Sequence, residues 1–208
     1  MLYNLLPNSP KNGHNCPFVK WENAFTDEEI QKINEYISTL ERCDAGVGGN
    51  SVESVVDKKI RNSKISWINN NQDSMWIWDR MAYIMRNVCS YWYNYDLSGF
   101  LDAIQYTEYD SELSDEPSYY EWHEDWLGDG CNLQRKLSMS VLLSDPNDYV
   151  GGEFQFLFPG DTFDNPTTIE RKKGMAVIFP SFRMHRVSPV ISGARKSLVL
   201  WGYGPAFR

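Results

Sequence analysis

An α+β fold is the prediction for this 208-residue chain, with helices outside and strands closing into a sandwich or barrel. Three observations carry it. Two early segments repeat apolar residues at helical spacing. From Phe100 onward that period gives way to short β-like runs separated by turn residues. The content, 42% apolar and 14% aromatic, suffices for one well-packed core in a chain too short for two large ones.

Asn8 to Pro17 is rich in Asn, Pro and Gly and opens an irregular lead over residues 1–24. Thr26-Asp27-Glu28-Glu29 reads as a capping box, and Ile30, Ile33, Ile37 and Leu40 then mark a helix of about four turns. Asp44 to Val56 has no clean period and is expected to be a loop, a candidate cover for a site. Ile60 to Ile68 alternates as a strand; Ile77, Met81, Ile84, Val88 and Trp92 mark a second amphipathic helix. These elements make a helical support region, 25–98. A strand core, 99–204, follows, with runs at Phe100 to Tyr109, Tyr119 to Asp125, Leu137 to Leu143, Glu153 to Phe158, Met175 to Phe179, Met184 to Val187 and Arg195 to Tyr203. One domain over 1–208 is therefore expected, without internal repeats.

A formal charge of −8 and a pI near 4.9 argue against a sequence-independent grip on nucleic acid, which needs a basic surface to displace counterions. A basic or neutral substrate is the easier partner. Cys16, Cys43, Cys89 and Cys131 are scattered and form no C-x-x-C pair, as expected of free thiols in a reducing compartment. Met1 to Pro10 lacks a signal-peptide pattern, and no apolar run reaches the length of a membrane span, so the expected address is the cytoplasm, without a membrane partner. The oligomeric state is not legible.

Two of the three histidines carry the chemistry. His123 and Asp125 are two apart and share a face on an extended strand, and His185 can complete a three-ligand site. Two histidines and a carboxylate are the facial triad that leaves open positions on a non-haem Fe(II). A closed structural zinc site is disfavoured, because no cysteine lies close in sequence to these ligands. His14, in the lead, has no neighbour at ligand spacing. After a Ser192-Gly193 turn, Arg195, Ser197, Val199 and Trp201 share one strand face, while Lys196, Leu198 and Leu200 share the other. Gly151-Gly152-Glu153 reads as a structural turn entering a strand.

The set His123-x-Asp125, Tyr149-Val150-Gly151-Gly152-Glu153 and His185-Arg186-Val187-Ser188-Pro189-Val190-x-x-Gly193-x-Arg195 resembles the 2-oxoglutarate- and Fe(II)-dependent oxygenases. Within them it is most similar to the prolyl-4-hydroxylase-like branch, including the PKHD-type hydroxylases. The match is specific from about Phe100 to Trp201; Phe25-Thr26-x-Glu28-Glu29, Ile60-Arg61-x-Ser63 and Trp67 extend it toward the N-terminus.

The resemblance implies a double-stranded β-helix, or jelly roll, with flanking N-terminal helices. It implies Fe(II) on His123, Asp125 and His185, with 2-oxoglutarate as cosubstrate, O₂ as oxidant and ascorbate as a supporting reductant. The far carboxylate of 2-oxoglutarate would be held by a basic residue nine or ten positions after the second histidine, where Arg195 stands. Tyr106 and Ser197 are the implied supplementary donors; Tyr120 and Trp201 match further cosubstrate-pocket positions. The charges of Fe²⁺, Asp125, doubly ionised 2-oxoglutarate and Arg195 sum to zero, so the filled pocket buries no net charge.

The implied activity is hydroxylation of a prolyl residue, or of another protein, peptide or amino-acid side chain, with release of succinate and CO₂. An AlkB-like nucleic-acid demethylase would call for a basic groove and a different arginine spacing. The same ligand pattern would also suit a metal- or 2-oxoglutarate-binding sensor of the same fold, or a cupin-like iron protein without cosubstrate. The acidic run Asp110, Glu112, Asp115, Glu116, Glu121, Glu124 and Asp129 could steer a basic peptide or simply be solvated. Substrate identity lies in loops such as Asp44 to Val56 and Ser111 to Pro117.

Overall fold

The computed structural model describes residues 16–46, 56–112, 116–126 and 133–207. His14, Cys131, Asp115, Asp129 and most of the expected 44–56 loop lie outside them. The strands are β1 (Val19–Trp21), β2 (Cys43–Asp44), β3 (Arg61–Asn62), β4 (Lys64–Ile68), β5 (Ile104–Asp110), β6 (Ser118–His123), β7 (Leu133–Leu142), β8 (Tyr149–Gly151), β9 (Phe154–Phe156), β10 (Thr167–Thr168), β11 (Ala176–Pro180) and β12 (His185–Pro205). The helices are α1 (Asp27–Ile37) and α2 (Met75–Val88).

A major sheet runs in the order β1-β11-β7-β12-β5-β4-β2. A minor sheet forms where the first part of β12 pairs with β6, β8 and β9; β3 adds to β6 and β10 to β9. Strand alternation divides the interior between two layers. Ile104, Tyr106, Leu137, Met139, Val141, Ala176, Ile178, Leu198 and Leu200 point outward and pack with Ile30, Ile33 and Ile37 of α1 and Ile77, Met81, Ile84, Met85 and Val88 of α2. Tyr109, Val177 and Phe179 point inward and meet Phe154, Phe156, Val187 and Val190 of the minor sheet.

Several elements depart from expectation for local reasons. α1 has its capping box, Glu29 N–H to Thr26 Oγ1 at 3.3 Å and Thr26 N–H to Glu29 Oε2 at 2.9 Å, but it stops at Ile37. There the hydroxyls of Ser38 and Thr39 donate back to the carbonyls of Glu35 and Tyr36, which ends the helix before Leu40. After α2 the chain takes a π-helical turn, Cys89–Tyr93, whose wider loop shifts the helical phase. Tyr93 is buried as a result, and Trp92, expected on the core face, is 37% exposed. The single strand expected over Ile60 to Ile68 is two, because the chain passes from the minor sheet to the major one at Ser63. Within the expected lead, Val19–Trp21 extends the major sheet beside β11.

The largest difference is β12. The expected runs Met184 to Val187 and Arg195 to Tyr203 merge, from His185 onward, into one strand, and the expected Ser192-Gly193 turn is a bend inside it, with Gly193 at φ +73°. His185 to Gly193 belongs to the minor sheet, Ala194 to Pro205 to the major one. One strand thus carries His185 and Arg195 into the space between the two sheets.

Candidate metal centre and its cavity

A cavity of about 410 Å³ opens between the sheets, with His123, Asp125 and His185 on its wall. One donor atom from each lies within 4.8 Å of the others, and among the described residues no further His, Cys, Asp or Glu joins this group. His123 Nε2 is 3.8 Å from Asp125 Oδ1, and His185 Nε2 is 3.6 Å from Asp125 Oδ2. His185 is buried; His123 and Asp125 are partly buried.

The backbone fixes the tautomers. His123 Nδ1 meets the Glu121 carbonyl at 2.7 Å and His185 Nδ1 meets the Arg183 carbonyl at 2.8 Å. A carbonyl only accepts, so both Nδ1 atoms carry the proton and both Nε2 lone pairs turn toward Asp125. Burial, reinforced by His185, lowers the His123 pKa to about 3, keeping the ring neutral. Burial works to raise the Asp125 pKa, but His185 and His123 bring it down to about 2, so the carboxylate is ionised. Two imidazoles and a carboxylate, with donor atoms converging and second ring nitrogens tied to backbone carbonyls, fit a divalent transition metal with open positions.

The strands position these groups unevenly. β6 ends at His123, so Asp125 is presented by the following loop; its N–H donates to the Ser181 carbonyl at 2.9 Å. His123 pairs with His185 and Tyr120 with Val187, three steps on β6 against two on β12. This bulge puts Tyr120 and His123, three apart, on one face. Their rings stack at 3.5 Å, and burial pushes the Tyr120 hydroxyl up to about 12.

Arg195, Ser197, Val199 and Trp201 line the same cavity. Arg195 is 4% exposed, donates through Nη1 to Ser197 Oγ at 3.2 Å and meets no carboxylate among the described residues. Gly151 and Gly152 form the expected turn, at φ +77° and +63°; a Cβ on Gly152 would stand 2.9 Å from Val190 Cγ2 and 3.1 Å from Arg195 Cδ. Trp201 is packed under the Arg135 guanidinium at 3.9 Å. Arg135 also holds Asp102 at 2.6 Å.

Tyr106 stands elsewhere, which corrects the expected donor set. It pairs with Leu198 and faces the helix layer with it, where burial raises its phenol pKa. The tyrosine on the cavity face is Tyr109, directly opposite Arg195, its ring 5.7 Å from the guanidinium carbon. Strand parity separates the two tyrosines: Gln105 and Thr107 share the cavity face with Tyr109, whereas Glu108 shares the other with Tyr106. Arg61 and Arg135 also border the cavity, although neither stood out from the sequence as a site residue. Of the acidic run, Glu124 alone among the described residues lines it.

Residues 104–203 match the family described as the 2OG-Fe(II) oxygenase superfamily. A PKHD-type hydroxylase of Azoarcus sp. (strain BH72) is 33% identical over 93 residues, 43% of this chain and 39% of that protein. The matched segments thus span about two fifths or less of such relatives' own lengths. Among solved structures, a Pseudomonas putida prolyl-4-hydroxylase superposes with a TM-score of 0.64 at 15% identity, covering 91% of this chain and 94% of that one. A Trichoplax adhaerens prolyl hydroxylase, in complex with a hypoxia-inducible-factor peptide fragment, gives 0.64 at 19% identity, covering 90% and 83%. These superpositions establish the jelly-roll fold. Residues 104–203 are thus similar to the 2OG-Fe(II) oxygenase superfamily and, over shorter segments, to PKHD-type hydroxylases, and the chain shares the fold of the prolyl hydroxylases.

Proposed function

We propose that the chain is a 2-oxoglutarate- and Fe(II)-dependent dioxygenase that hydroxylates a prolyl or other protein, peptide or amino-acid side chain and releases succinate and CO₂. The observation that carries this reading is one strand, β12, bringing His185 of the ligand cluster and the buried Arg195, which meets no carboxylate among the described residues, into one cavity.

His123, Asp125 and His185 would hold the iron, which supplies oxygen activation coupled to decarboxylation of the cosubstrate. Arg195 offers a bidentate fork for the far carboxylate of 2-oxoglutarate; its Nη1 contact to Ser197 fixes the direction of that fork. The Tyr109 phenol, across the strand pair, is placed to donate to the same carboxylate. Tyr120 braces the His123 ring by stacking, and Trp201 closes the wall near Arg135. No side-chain general base is needed. The peptide bound to the Trichoplax neighbour supports a peptide as substrate here.

Incubation of the chain with Fe(II), 2-oxoglutarate, ascorbate and a peptide and lysate panel should yield succinate together with products heavier by one oxygen atom. If 2-oxoglutarate neither binds the Fe(II)-loaded chain nor turns over, the reading fails.

A further inference from the structure

Two arginines are buried among the described residues, Arg195 and Arg61, and both border the cavity. The dioxygenase reading gives Arg195 a counter-charge in the cosubstrate. It gives Arg61 none. Arg61 is 7% exposed; its Nε donates to Ser63 Oγ at 3.0 Å, and its Nη2 to Gln105 Oε1 at 2.8 Å and Thr107 Oγ1 at 3.4 Å. Its guanidinium carbon lies 4.6 Å from the centroid of the Tyr120 ring, which stacks on His123. Every one of these partners is neutral, and Nη1 takes no hydrogen bond among the described residues.

The cavity's other charges are already matched. Asp102 holds Arg135, Asp44 holds Lys64 at 2.7 Å, and Asp125 belongs to the ligand cluster; Glu124 is exposed. A buried guanidinium fixed by neutral acceptors and lacking an anion is costly unless an anion arrives. One aromatic ring separates it from His123.

We propose that Arg61 is a substrate anchor and that the substrate carries a carboxylate, from an acidic residue of a peptide or from the main chain of a free amino acid or C-terminus. This rests on the dioxygenase reading and differs from the expectation of a basic or neutral substrate, which follows from net charge and not from the cavity. The acidic net charge and the buried Arg61 are separate features: the first belongs to the chain as a whole, whereas the second faces what enters the cavity.

The test uses the full chain loaded anaerobically with Fe(II) and 2-oxoglutarate, whose visible charge-transfer band responds to substrate binding. The probes are matched pairs: proline and prolinamide, glutamate and glutamine, Gly-Pro-Gly as acid and as amide, and blocked peptides with an internal Glu or Gln beside Pro. At least one acid should bind about tenfold or more tightly than its neutral partner, the worth of a charged hydrogen bond; which pair does so distinguishes the sources of the carboxylate. Arg61→Gln should level that pair, while Arg61→Lys should keep part of the preference. Lack of any acid preference in the wild type overturns the proposal, with no dependence on a variant. So does a preference that survives Arg61→Gln, or an equal loss of 2-oxoglutarate affinity in that variant, which would assign Arg61 to the cosubstrate. A missing charge-transfer band instead refutes the dioxygenase reading, and this inference with it.

Discussion

Replacing Arg195 by methionine should separate cosubstrate binding from folding. The guanidinium is 4% exposed and touches Ser197 Oγ, with the Tyr109 and Phe154 rings 5.7 and 6.0 Å away. Its removal would leave the incoming carboxylate buried and unpaired, at about 3–5 kcal/mol. At about 1.4 kcal/mol per factor of ten, the Kd for 2-oxoglutarate should rise by roughly two to nearly four powers of ten. Without ligand the sign is opposite: methionine replaces a buried cation that has no counter-charge among the described residues, so the melting temperature should hold or rise. Metal affinity, set by His123, Asp125 and His185, should be unchanged. Calorimetric titration of 2-oxoglutarate into the anaerobic Fe(II) protein, beside thermal melts of the ligand-free chain, measures all three quantities. A Kd within about threefold of wild type would refute the arginine's role, since even one charged hydrogen bond is worth more than that. A markedly lower melting temperature would show that Arg195 ties the sheets together.

The same titration should distinguish two tyrosines: Tyr109→Phe is expected to weaken 2-oxoglutarate by about tenfold, the net worth of a hydrogen bond to a charged group, and Tyr106→Phe to leave it unchanged. Equal effects would contradict the assignment of strand faces. Gly152→Ala puts a Cβ into Val190 and against Arg195 Cδ at φ +63°, so urea denaturation should show a loss of about 1–2 kcal/mol and 2-oxoglutarate affinity should fall with it; an unchanged urea midpoint would count against it. In α1, burial tends to raise the Glu29 pKa, but the Thr26 N–H and Arg80 more than offset this and hold it below its ordinary 4.5. Its contribution is therefore present above pH 4.5 and lost as pH falls below it. Glu29→Gln should cost about 1 kcal/mol at pH 7, and melts at descending pH should show the gap closing below 4.5. A gap independent of pH would refute the ionic contribution.

The sequence was most informative where spacing alone decides geometry. His123-x-Asp125, His185 and an arginine ten residues on were legible as a set, and alternation placed Arg195, Ser197 and Trp201 together. It was least informative where pairing decides. Tyr106 and Tyr109 differ only in strand parity, and which face of β5 meets the cavity depends on its register with β12. The bulge that brings Tyr120 onto His123 exists only between two strands, so one strand's residues do not announce it. Arg61 lay in a strand expected to be continuous; its entry into the cavity follows from the switch of sheets at Ser63, where the alternation of a single strand stops being a guide.

That β12 supplies His185 as well as Arg195 also sets an order in time. A chain leaving the ribosome presents His123 and Asp125 long before the last strand is made, and until then it holds two of the three ligands and nothing for the cosubstrate. The pairings of β12 with β5 and β6 are distant in sequence, the kind that form late in folding. In the proposed dioxygenase iron loading would therefore be a finishing step, closed to every unfinished chain, and oxygen chemistry would not start on a polypeptide whose interior is still open to water.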